Sequence, residues 1–480
     1  MRVKRFFYKV VPFLLIIFLL FPQPASASTS AVSFYGGNLN LWWLFPFVGI
    51  LLSIAIMPLV APHFWHDHHG KVAAFWAFVK IISMLVAIGF KTTLYEVLDV
   101  YLLEYFPFII LLFSLFTIAG GVRIKGYLKG TPEFNVFILF LGTILASIMG
   151  TTGAAMLLIR PLLRANKWRQ KKVHIVVFFI FLVANIGGSL TPLGDPPLFM
   201  GFLEGVHFFW TTTHLFWPMT FVAIVLLGIY YLLDRYLYSR EIKPQPQASE
   251  EDSHKSISLE GSFNLLLLVG VLGLVLFSGV VRIGDVVVYH VHLRIANIIR
   301  DIGLLLLTGV SWFFTPEQRR IANGFEWSPI LEVGKLFAAI FITILAPIAM
   351  LQAGNEGKAA LHFIREIVFT SNGQPINAMF FWVTGMLSTF LDNTPTYLVF
   401  FNAAGGNAQT LMQQLPDTLK AISASAVFFG ALTYIGNAPN LLVRSIAESS
   451  DVDMPSFVGY MLWSFSILIP IFIVVTWLFI

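Results

Sequence analysis

Ten apolar runs of about 20 residues recur along the chain, near 41–60, 72–95, 100–119, 173–190, 214–237, 262–281, 294–315, 327–351, 417–432 and 456–480. A helix of that length crosses the roughly 30 Å hydrocarbon core of a bilayer. In lipid a backbone must satisfy its own hydrogen bonds, so runs of this kind can only be helices. Composition agrees: 57% of the 480 residues are apolar and 11% are charged, against roughly 25% charged in soluble domains. A soluble enzyme, a nucleic-acid binder and a disordered scaffold are thereby excluded. The expected fold is an all-α polytopic membrane protein whose main partner is the lipid bilayer. The formal charge of +5 reads as a topology signal, because Lys and Arg of membrane chains collect in cytoplasmic loops. With no Cys there is no disulfide, thiolate metal site or thiol nucleophile.

The chain begins with Arg2, Lys4, Arg5 and Lys9, an apolar run from Val10 to Phe21, and Pro24-Ala25-Ser26-Ala27. That order reads as a cleavable secretory signal over residues 1–28, with an uncleaved first membrane segment as the other reading. A polar, Pro-containing stretch at 238–260 (SREIKPQPQASEEDSHKSISLEG) reads as a cytoplasmic linker. It divides a first transmembrane repeat at 40–237 from a second at 261–480. A multi-pass protein of the bacterial inner membrane is the expected location.

Two more apolar stretches are interrupted by residues that break or cap helices. One spans 133–163, broken at Gly150-Thr151-Thr152-Gly153; the other spans 377–404, broken at Asp392-Asn393-Thr394-Pro395. The first has basic flanks on both sides, Arg123, Lys125 and Lys129 before it and Arg164, Lys167, Arg169, Lys171 and Lys172 after it. Both of its ends are therefore expected in the cytoplasm, which makes it a re-entrant hairpin. The second has neutral flanks, as a hairpin entering from outside would. Opposite insertion also fits the acidic 92–104 segment outside and Arg319 and Arg320 inside.

Adding 242 to a residue number superimposes one half on the other. Gly188 falls on Gly430, Thr191 on Thr433, Gly194 on Gly436, Asp195 on Asn437 and Pro197 on Pro439; without a gap, Ser147 falls on Thr389, Thr151 on Asn393 and Thr152 on Thr394. Apolar bias does not supply matches at Thr, Gly, Asp/Asn and Pro. Two inverted-topology repeats with re-entrant hairpins and broken transmembrane helices are the expected architecture, and such repeats place the transported species at their interface near the midplane.

Four breaks then define the candidate site: the two hairpin tips, Thr191–Pro197 and Thr433–Pro439. Pro removes a backbone donor and Gly permits unusual dihedrals, so helices unwind there. Half-helix C-termini favour cations and N-termini favour anions, so these groups by themselves do not choose between the two. Candidate ion or substrate ligands are Thr151, Thr152, Thr191, Gly194, Asp195, Asp392, Asn393, Thr394, Gly436 and Asn437. Asp195 and Asp392 lie in apolar surroundings, where an ionised carboxylate is costly. Bound Na+ or a proton would offset that cost, and capping of the following half-helix is the structural alternative. Lys80 reads as packed beside a polar helix face, Glu332 and Lys335 as interfacial, and Arg160 and Arg444 as snorkelling residues. The His63, His66, His68, His69 and Asp67 cluster has no second group at zinc-site spacing. No nucleotide-binding or hydrolase motif is visible.

Each half has a tip rich in Thr or Asp-Asn and a downstream Thr-x-x-Gly-Asp/Asn break, and in this the chain resembles the ion transporter superfamily over about residues 40–480. Gly187-Gly188-Ser189-Leu190-Thr191-Pro192-Leu193-Gly194-Asp195 and Phe390-Leu391-Asp392-Asn393-Thr394-Pro395 are similar to motifs of its Na+/H+ antiporters. Dicarboxylate carriers of the superfamily show Ser-Asn-Thr tips instead, and the first tip here lacks the Asn common in the family. Length and hydropathy also resemble a group of bacterial citrate-transporter-like proteins. The resemblance implies a secondary transporter and no enzyme: a Na+(Li+)/H+ antiporter with alternating access, Na+ bound at Asp195 and Asp392, or else Na+- or H+-coupled carriage of citrate or a dicarboxylate. It implies no cofactor beyond Na+ and H+, and a homodimer, as superfamily members often are.

Overall fold

The apolar runs fold as helices. In the computed structural model, which describes residues 35–126, 129–241, 258–353 and 361–480, the first half contains α1 (Phe45–Val60), α2 (Pro62–Val100), α3 (Phe106–Ala119), α4 (Pro132–Met149), α5 (Thr151–Ala165), α6 (Val173–Leu182), α7 (Pro196–Leu203) and α8 (Trp210–Tyr238). The second half contains α9 (Ser262–Val280), α10 (Ile295–Phe314), α11 (Ser328–Thr343), α12 (Leu345–Ala353), α13 (Asn377–Phe390), α14 (Asn393–Ala403), α15 (Pro416–Phe428), α16 (Ala438–Glu448) and α17 (Phe457–Phe479). Among the described residues nine helical segments are long and apolar enough to cross a membrane. The expected signal at 1–28, and residues 242–257 of the expected linker, lie outside the described residues.

Local chemistry sets the boundaries. α4 starts where the Thr131 hydroxyl accepts the Phe134 N–H at 3.3 Å, with Pro132 in the first turn; α17 starts the same way, Ser456 accepting from Gly459 at 3.2 Å. Both are N-cap arrangements that satisfy one orphan donor of a helix start. Two segments depart from the sequence reading. The acidic 92–104 stretch, expected outside the membrane, is helical: Gly89, with φ of 78° and ψ of 170°, kinks α2, and the helical path then runs on through Tyr101–Tyr105 into α3. Secondly, two small antiparallel strand pairs occur, a long-range one between Arg123–Lys125 and Ser258–Glu260 and a hairpin of Asp285–Val288 with Val291–Arg294. The second turns at Tyr289 and His290, both with positive φ.

From the first hairpin onward the register of 242 is structural. Shifted by that number, α5 (151–165) starts with α14 (393–403), α6 (173–182) nearly with α15 (416–428), and α7 (196–203) with α16 (438–448). The contacts obey the same exchange: α5 packs on α16, and its equivalent α14 packs on α7. Each hairpin's second arm therefore leans on the far segment of the other half's broken helix, a reciprocal exchange between the two halves of the chain. α6 is buried from His174 to Leu182. α9 and α10, with α1, α2, α3, α11 and α12, flank this centre, and α3 touches both α5 and α7.

The open end of the first hairpin is pinned by polar groups. Asn135 on α4 and Asn166 after α5 exchange amide hydrogen bonds at 3.0 and 2.7 Å. The buried carboxylate of Asp234 on α8 accepts from Asn135 at 3.1 Å, His174 at 2.7 Å and the Tyr230 hydroxyl at 3.0 Å, and from Arg169. Burial of that charge is compensated because every facing donor belongs to the cluster.

Candidate functional site

The two hairpin tips break differently. α4 and α5 are separated by Gly150 alone, at φ 82° and ψ 150°, a region of backbone space that only Gly occupies without strain. The second tip breaks at Leu391 and Asp392. There the Asp392 carboxylate accepts the Thr394 N–H at 3.1 Å and so caps α14.

The broken helices repeat one construction. In both repeats the chain tightens into a short 3-10 turn, Ile186–Leu190 and Phe429–Leu432, and then unwinds before α7 and α16. Thr191 turns its hydroxyl back to the Ser147 carbonyl on the hairpin arm, and Thr433 does the same to Thr389. Those two threonines thus hold the breaks against their hairpins. Gly194 and Gly436 are there because the chain passes close to itself: a Cβ on Gly194 would come within 2.1 Å of the Gly188 carbonyl oxygen, and one on Gly436 within 2.7 Å of that of Gly430. The Gly194 carbonyl also accepts the Thr151 N–H at 2.9 Å, which fixes the first tip to the first break.

Asp195 and Asp392 line the same cleft, as the sequence reading required, but their roles differ. Asp195 is fully buried and accepts three hydrogen bonds: Thr151 Oγ1 at 3.0 Å and Asn437 Nδ2 at 3.1 Å on one oxygen, Asn393 Nδ2 on the other. Thr151 is in its own repeat, Asn393 and Asn437 in the other. Asp195 makes no cap to α7, so the capping alternative holds for Asp392 and not for Asp195. Two neighbouring oxygens, Asn393 Oδ1 and Thr394 Oγ1, are buried without a hydrogen-bond partner. Buried polar atoms are seldom left so.

Sequence reasoning missed a second tie. Asn185, next to the first break, donates to Asn440 Oδ1 at 2.8 Å and accepts from Asn437 at 3.2 Å, while Asn440 donates to the carbonyls of Gly430 and Thr433, both at 2.8 Å. An amide within an apolar run, as at Ala184-Asn185-Ile186, was the available signal.

The tips and breaks line one cleft. Phe108 and Leu111 of α3 and Phe337 of α11 form apolar walls. Its polar edge is made by helix starts: Thr151, Thr152 and Gly153 of α5, Asp195 and Pro196 at α7, Asn437 and Ala438 at α16, and Asp392, the cap of α14. The starts of α5, α7 and α16 have no side-chain cap. Three uncapped helix starts and a fourth capped by Asp392 therefore meet around one cavity.

The family model described as "Putative citrate transport" matches residues 36–480. The chain belongs to this citrate-transport family. No curated protein matches it. The family and the helices together make it a multi-pass membrane protein of a transport family. For such a protein the remaining polar candidates are peripheral. The Arg160 guanidinium reaches the Gly324 carbonyl at 3.4 Å, and Arg444 binds Glu448 at 2.8 Å over the Tyr434 ring; neither lines the cleft. Lys80 is buried 4.7 Å from the ring centre of Trp43. Of the histidine cluster, His69 finds the Trp65 and His66 carbonyls within its own helix, and His68 stacks on Phe64. Among the described residues no group of three His, Asp or Glu is disposed to hold a metal ion.

Proposed function

We propose that the protein is a cation-coupled secondary transporter of citrate or a related di- or tricarboxylate, operating by alternating access at the cleft. The observation that carries this reading is the meeting of uncapped helix N-termini around the cavity, since their positive dipole ends attract anions. Asp195 is already engaged by three donors supplied by both repeats. Asp392 keeps one oxygen beyond its cap and sits beside the partnerless Asn393 and Thr394 oxygens. These groups would take the coupling Na+ or proton, and that cation would screen Asp392 from the incoming carboxylate.

A Na+(Li+)/H+ antiporter is the second reading, favoured by two carboxylates lining one cleft. Proteoliposomes separate the two. Radiolabelled citrate should accumulate in response to an imposed Na+ or proton gradient, and Asp392→Asn should abolish gradient-driven accumulation while leaving citrate exchange. Sodium-dependent proton movement with no citrate uptake under any gradient would hand the function to the antiporter reading.

A further inference from the structure

Arg300 has no part in the cleft as described, yet it is the cation nearest in construction to what a carboxylate site needs. It lies on the buried stripe of α10, Ala296, Arg300, Leu304, Thr308 and Ser311, while Ile302, Leu306 and Phe313 on the same helix are exposed. Its side chain is wholly buried. Nε donates to the Asp301 carboxylate at 2.8 Å and Nη1 reaches the Ser278 hydroxyl at 3.4 Å; Nη2 is buried with no hydrogen-bond partner. Asp301 and Ser278 thus take Nε and Nη1 and leave the N–H groups of Nη2 uncommitted. An arginine inside a membrane helix bundle is costly, and such residues commonly mark a substrate or ion path.

The guanidinium lies against a residue of the cleft wall. The guanidinium carbon lies 5.8 Å from the centre of the Phe199 ring, and Phe199, on the first turn of α7, lines the cleft. One aromatic ring separates an incompletely bonded cation from the cavity. Arg300 belongs to α10, outside the hairpins and broken helices, whereas Phe199 rides on the half-helix that follows the Thr191–Asp195 break. A shift of α7 or a turn of its ring would open the guanidinium to the cleft.

We propose that Arg300 is a second carboxylate-binding residue of this transporter, covered by Phe199 in the present conformation and engaging one carboxyl group of the substrate when α7 moves. The inference rests on the carboxylate reading above. A guanidinium fork matches a carboxylate in two parallel hydrogen bonds. Asp301 is then the placeholder that the substrate carboxyl displaces.

The test is citrate uptake by proteoliposomes of the full chain. Wild-type uptake comes first: its absence counts against the carboxylate reading itself, whereas its presence lets the variants judge Arg300 alone. Arg300→Gln should raise the citrate KM about tenfold or more with little change in kcat, the loss of a charge-assisted hydrogen bond. Asp301→Asn should lower that KM, because the competitor for the guanidinium is gone. Arg300→Gln/Asp301→Asn, which leaves no unpaired charge, should keep the fold and the raised KM. A double variant with the wild-type KM overturns the proposal, and so does an Asp301→Asn variant that raises KM as Arg300→Gln does, since a merely structural pair fails from either side.

Discussion

Replacing Asp195 by Ala removes the acceptor of three buried hydrogen bonds and with it a direct tie between the repeats. Asn437 loses least, since it also donates to the Ala184 carbonyl at 3.1 Å and to Asn185 at 3.2 Å. The Thr151 hydroxyl and the Asn393 amide are left as orphaned donors. Each such donor costs about 1–3 kcal/mol, so the two together cost about 2–6 kcal/mol. The low end of that range applies, because an unfolded chain that stays in lipid finds partners of its own. Asp195→Asn has a route out: Asn393 Oδ1 is partnerless, and turning the Asn393 amide over lets that oxygen accept from the new side-chain amide. The Asn variant should therefore stay within about 1 kcal/mol of wild type. Denaturation in detergent, followed by Trp fluorescence, reads both values. If Asp195→Ala is as stable as the wild type, or if Asp195→Asn is the less stable of the two, the carboxylate is not the tie inferred from its three donors.

Two other outcomes follow from the geometry. Asp234→Ala leaves Arg169 buried without its counter-charge and should destabilise the protein by about 3–5 kcal/mol in the same assay, whereas Arg169→Met/Asp234→Leu, which removes both charges but still orphans the His174 and Tyr230 donors, should recover only part of the loss. Gly150→Ala places a side chain at φ 82° with its Cβ 3.3 Å from the Leu193 carbonyl oxygen; it should cost about 1–3 kcal/mol and slow citrate uptake, and an unaltered melting temperature would show that the tip relaxes freely.

The division of labour between sequence and fold is visible residue by residue. Span positions followed from apolar length, since only a helix satisfies its backbone in lipid: the run expected near 262–281 is α9 at Ser262–Val280, and that near 456–480 is α17 at Phe457–Phe479. The breaks were equally legible, because Gly150, Pro192 and Asp392 impose or relieve backbone demands where they stand. Gly89 escaped notice because it stands inside an apolar run long enough for one span; its non-helical dihedrals kink the helix there.

What the sequence by itself determined was an all-helical membrane chain, its doubled register and the residue types at its four breaks. Each of these depends on local dihedral preference or on a period along the chain. Only the tertiary structure decided how those residues are used: that Asp195 accepts from Asn393 and Asn437 of the other repeat while Asp392 caps its own helix, that Asn185 meets Asn440, and that Arg300 stops one ring short of the cleft. Such partnerships join positions as far as 255 residues apart, and a donor's choice of acceptor is made by proximity after packing, which no one-dimensional pattern records.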